Sequence, residues 1–136
     1  MRKLTWMIAL ALAGCAGHST VRPLRPLEIA TAPYRDLTAT AMPGSLMYEG
    51  GCLLFRDEQT RAILMPVWPS GSIFNGTAVV FHEPGKTDQR IMIAEETVLT
   101  GEPTQWTALD PAVFASLRQQ CGAYQPFFVS SVRPAN

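Results

Sequence analysis

The 136-residue chain has no long apolar run, no block of like charge and few residues equipped for chemistry. Its most apolar stretch, Leu4 to Leu12, covers about nine residues, against the roughly 20 that cross a bilayer. Charged residues are only 16% of the chain and balance at 11 basic and 11 acidic. That excludes the basic stripe by which nucleic acid is held and a polybasic patch on a lipid surface. Histidine occurs twice, at His18 and His82, a thin supply of nitrogen ligands for zinc. The spacings Gly-x-Ser-x-Gly, His-Glu-x-x-His and a phosphate loop are missing. Gly85-Lys86-Thr87 copies the last three letters of such a loop, but Val80 stands where the upstream glycine belongs. No internal repeat or low-complexity tract is present, and no catalytic residue, metal or cofactor is expected.

What is there begins at the N-terminus. Arg2 and Lys3 precede the apolar core, which ends at Leu12-Ala13-Gly14-Cys15. Basic residues, a short core and small residues at its end describe a signal peptide, residues 1–14. Leu12-Ala13-Gly14-Cys15 resembles the lipobox of bacterial lipoproteins. The resemblance implies cleavage before Cys15, a diacylglyceryl group on its sulfur and often acylation of the new amine. One acyl chain binds a membrane only marginally, and two or more hold firmly. Ala16 stands where the proteobacterial class uses aspartate for inner-membrane retention. The implied place is therefore the periplasmic side of an outer membrane, or the outer face of the cell membrane in a host without one.

Lipid on Cys15 leaves Cys52 and Cys121, an even pair in an oxidising compartment. A disulfide between them is favoured over two buried thiols or a metal pair, since two sulfurs alone make a poor zinc site. Without Arg2 and Lys3 the mature chain carries 9 basic and 11 acidic residues, a net charge of −2.

Residues 15–43 hold Pro23, Pro26, Pro33 and Pro43 and read as a lipid-anchored tether. Leu27, Ile29 and Tyr34 are the apolar exceptions. The domain is expected over 44–136. Ser45 to Phe55 forms strand structure bent at Gly50-Gly51. Arg61 to Trp68 is a second run, demoted by Pro66 toward an edge or kinked strand. Asn75-Gly76 marks a hairpin turn. Thr77 to His82, Gln89 to Ala94, Thr97 to Thr100 and Pro126 to Val132 complete the strands. Asp110 is a good N-cap, Pro111 suits the first helical position and Leu109 can staple to Phe114. That helix places Val113, Phe114, Leu117 and Cys121 on one face, with Gly122 as its stop. The fold class is mainly β with one helix near the C-terminus.

Gly51-Cys52-Leu53, Val67-Trp68-Pro69 and Cys121 before the last strand are similar to small envelope proteins built as barrels of the oligonucleotide/oligosaccharide-binding (OB) type. The resemblance implies a small β-barrel of about five to six strands over Gly44 to Val132, and it supplies no functional residues.

Three groups are candidates for a site. His82-Glu83 and Glu95-Glu96 would be acid–base or carboxylate pairs, but neighbours on a strand point to opposite faces, so solvated charges are the better reading. Trp68 and Tyr48, with Phe74 and Trp106, would form an exposed strip that stacks a small ligand or saccharide. Against this, a small domain needs most of its rings for its core. The expectation is a non-catalytic binding or structural module of the envelope, partnered by membrane lipid and an envelope protein, with a small-ligand or saccharide site as the alternative.

Overall fold

The computed structural model describes residues 25–37, 40–106 and 111–135. The signal segment, Cys15, Leu109 and Asp110 lie outside the described residues. Nine strands and one helix are present among those described: β1 (Thr31–Ala32), β2 (Thr40–Glu49), β3 (Cys52–Asp57), β4 (Ile63–Pro69), β5 (Ile73–Phe74), β6 (Ala78–Phe81), β7 (Gln89–Met92), β8 (Glu96–Pro103), α1 (Pro111–Cys121) and β9 (Gln125–Pro134). Five of them form a ring in the order β4-β3-β2-β8-β9, closed where β9 pairs in parallel with β4 from Leu64↔Gln125 to Val67↔Phe128. The molecule is thus a small, mainly β, barrel-like domain with one helix near its C-terminal end. That helix follows more strands than an OB-type barrel normally places before it, because β5 to β7 form a separate three-stranded sheet between β4 and β8.

Alternation along the ring strands sorts side chains into an inside and an outside. Leu46, Leu53, Phe55, Trp68, Leu99, Phe127, Val129 and Val132 form one buried cluster inside the ring. The small sheet adds Phe74, Val79, Phe81 and Ile91 to the same cluster, with Tyr48 and Phe74 rings 4.8 Å apart. Strand pairing in the ring forces two close approaches: a Cβ at Gly44 would lie 2.0 Å from the Arg56 carbonyl oxygen, and one at Gly101, beside a register shift in β8, would lie 1.7 Å from the Phe128 carbonyl oxygen. Only glycine fits at either position.

The helix packs on the outside. Phe114 and Leu117 cover Val67 of β4 and Phe128 of β9, while Cys121 meets Cys52, Leu54 and Met65 on β3 and β4. A disulfide joins Cys52 to Cys121, with Cα atoms 5.7 Å apart. Gly122 stops the helix at φ +100°, its N–H donating to the Arg118 carbonyl.

Two expectations are corrected. The domain does not start at Gly44: β1 pairs with β4, Ala30 is 2% exposed, and β2 begins at Thr40. The prolines of this stretch do not prevent pairing, because β1 falls between Pro26 and Pro33 and contains neither. The carbonyls of Ala30 and Ala32 receive the N–H groups of Trp68 and Ser70. Pro66 does not make β4 an edge strand either. Pairing of β3 with β4 ends at Leu64, and β1 takes over at Trp68. Trp68 aims its N–H at β1, and by the two-residue period Pro66 faces the same side. Its missing N–H therefore falls in the changeover, where no ladder bond is due.

Candidate functional site

Of the aromatic strip expected from the sequence, little is available to a ligand. Trp68 is 1% exposed and meets Phe81 edge-on at 6.3 Å. Its indole N–H is buried without a hydrogen-bond partner. Tyr48 is half-buried against Phe74. Trp106 lies elsewhere, beneath α1, where it packs on Phe114 at 6.2 Å and Arg118 stands 5.9 Å over its ring. Its Nε1 donates to the Tyr124 carbonyl. Burial in two different clusters replaces the stacking face: Trp68 and Tyr48 serve the ring interior, and Trp106 anchors the helix.

The outer face of β3 and β4 is covered as well. In OB-type barrels that face and its adjoining loops take up extended ligands. Here Cys52, Leu54 and Met65 are buried beneath Cys121, Trp106 and Tyr124.

His82 and Glu83 each find a partner of their own. His82 Nδ1 lies 2.9 Å from Asp88 Oδ1, and the ring rests on Gly71, where a Cβ would meet its Cδ2 at 2.9 Å. Glu83 accepts from the Tyr34 hydroxyl at 3.0 Å and pairs with Lys86 at 3.0 Å. Burial and then the Glu83 hydrogen bond and charge, with Asp36 adding, raise the Tyr34 phenol above its usual value of 10.0. His82 and Glu83 therefore belong to two separate surface pairs. Ser72, 5% exposed, accepts from the His82 backbone N–H.

One open hollow stands out on the barrel wall. Its volume is about 290 Å³, and Gly44, Ser45, Arg56, Asp57, Glu58, Arg61 and Glu96 line it. The β-register builds its floor: Ser45 on β2 pairs with Arg56 on β3 and with Glu96 on β8, so all three share the outward face. The turn above it is tied down. Asp57 accepts from the Gln59 N–H and the Thr60 hydroxyl, and Glu58 N–H donates to the Pro43 carbonyl. Arg61 sits at φ 65°. Sequence reasoning missed this hollow. A charged Arg56 directly after the apolar run Cys52 to Phe55 is its one local sign.

Among the described residues, no three or more His, Cys, Asp or Glu side chains gather to hold a metal ion, and no helix is long and apolar enough to cross a membrane. Comparison of the chain with family models, curated proteins and solved structures finds no match.

Proposed function

We propose that the chain is a bacterial lipoprotein, held at the periplasmic side of the outer membrane by acyl chains on Cys15, and that its domain is a non-catalytic binding or structural partner of another envelope protein. The observation that carries this reading is the Cys52–Cys121 bond. It uses two of the three cysteines and leaves Cys15, after Leu12-Ala13-Gly14, as the third. A structural disulfide also belongs to an oxidising compartment. Ala16, in place of aspartate, supports the outer-membrane assignment.

The test is intact mass of the membrane-extracted protein from a bacterial host with two membranes. A chain beginning at Cys15 with acyl mass added is expected, and Cys15→Ala should abolish the added mass. A chain that retains Met1 overturns the reading. Crosslinking in cells then identifies the protein partner. The small-ligand alternative no longer has a Trp68 face, and it is favoured by one observation, the open hollow at Arg56 and Arg61.

A further inference from the structure

We propose that the hollow beside β2 binds a compact zwitterion, an amino acid or short free peptide, through Arg56 and Arg61 on its carboxylate and Glu96 and Glu58 on its ammonium group. The proposal rests on the small-ligand reading of the domain and is independent of the lipid on Cys15.

Three observations carry it. First, the charges are spare. Among the described residues, neither guanidinium has a salt-bridge, hydrogen-bond or ring partner, and neither do the Glu58 and Glu96 carboxylates. Asp57 is different, since both its oxygens serve the turn. Two free cations and two free anions in one hollow of about 290 Å³ disfavour a bare anion such as phosphate, which would face both glutamates. The lining holds no aromatic ring, so nothing there stacks a sugar or a base.

Second, the spacing suits a dipeptide. Arg56 and Glu96 flank Ser45 on adjacent strands, two strand spacings or about 10 Å apart at the backbone. Across the small Ser45 side chain they form no ion pair with each other. Two extended residues span about 7 Å, and the flanking side chains close the remainder. A planar guanidinium is also the group that takes a carboxylate through two parallel hydrogen bonds.

Third, Arg61 occupies a left-handed backbone at φ 65°, where glycine is the low-cost residue. A long cation therefore stands over the hollow at a position whose geometry costs it energy, a strain that the zwitterion contact would offset.

The experiment is an amide NMR titration of the full-length, nitrogen-15-labelled protein in detergent, with L-alanyl-L-alanine as the probe. Saturable shifts at Gly44, Ser45, Arg56 and Arg61 are expected. N-acetylated dialanine and dialanine amide each lack one charge and should bind at least about tenfold more weakly. Arg56→Gln and Arg61→Gly should each weaken dialanine binding by a similar factor. Arg61→Gly should also leave the melting temperature unchanged or raised, which separates lost binding from lost fold. No saturable shift, or wild-type binding by Arg61→Gly, overturns the proposal. Equal binding of acetylated and free dialanine also overturns it, by making the site a plain carboxylate site. None of these results bears on whether Cys15 carries lipid, so the anchor stands or falls by its own mass measurement.

Discussion

Replacing Cys52 and Cys121 together tests how the domain is held. Their bond joins residues 69 apart in sequence, and in the chain-entropy picture a loop of that size restricts the unfolded chain by about 4 kcal/mol. The folded side should change less. Cys52 is 4% exposed beside Leu54 and Met65, so alanine there sacrifices one sulfur's packing, about 1 kcal/mol. Helix α1 keeps Phe114 and Leu117 against Val67 and Phe128. A Cys52→Ala/Cys121→Ser variant should therefore lose about 4–5 kcal/mol, a large part of the roughly 5–15 kcal/mol of a typical domain. For a domain of this size that lowers the melting temperature by about 20 °C. Urea unfolding followed by tryptophan fluorescence is the assay, with oxidised wild type, reduced wild type and the double variant side by side. Reduced wild type should track the variant, and both should show a somewhat steeper denaturant dependence, because their unfolded chains expose more surface. A loss below about 1 kcal/mol would refute the entropic account. Free alkylation of both thiols without reductant would refute the bond itself.

Three further outcomes follow from the packing. Trp68→Ala should cost about 3–5 kcal/mol, whereas Trp68→Phe should stay within about 1.5 kcal/mol, because it also deletes the unpartnered indole N–H; thermal melts of the two variants decide. Gly101→Ala would place a Cβ against the Phe128 carbonyl and should cost about 3 kcal/mol or more. Gly50→Ala, at φ +60° but in open space, should cost only about 1 kcal/mol, and equal losses at the two glycines would contradict the ring closure. Tyr34 should ionise above the usual tyrosine value in an ultraviolet titration. Its folded value is raised, so the stability it adds is complete below about 10 and declines as pH climbs through the folded value. Glu83→Gln should bring that late phase to lower pH, and an unchanged titration in Glu83→Gln would remove the hydrogen bond from the explanation.

The parts of this fold legible in the sequence are those fixed by near neighbours. Gly50-Gly51 reads as a bend within one run, and both glycines do take positive φ there, but the bend is a full turn that folds the run into the antiparallel β2–β3 hairpin. Asn75-Gly76 gave the turn before β6, where the Asn75 side chain accepts from the Thr77 and Ala78 N–H groups. Pro111 and Gly122 bracket the helix, and cysteine parity in an oxidising setting predicted the Cys52–Cys121 pair. Composition misled where pairing depends on a distant partner. A proline-rich segment reads as a tether, yet Thr31 and Ala32 between its prolines are free to pair with β4, so β1 joins the barrel. Pro66 reads as an edge, yet its side of β4 changes partner from β3 to β1 just there.

Distant pairing is also why the proposed ligand hollow left almost no trace in the sequence. Ser45, Arg56 and Glu96 stand far apart along the chain, and none belongs to a motif. Two registers bring them into one row, β2 against β3 and β2 against β8. Because side chains alternate, a slip of one residue in either pairing would turn one of the flanking charges into the ring. The buried partners forbid that slip. Leu46 faces Phe55 in the neighbouring row, with both side chains in the core, and Leu99 opposite Met42 fixes the other pairing. The apolar interior thus determines where the polar exterior residues meet. A core substitution that shifts the β2–β8 register would disperse the hollow without touching any residue in it.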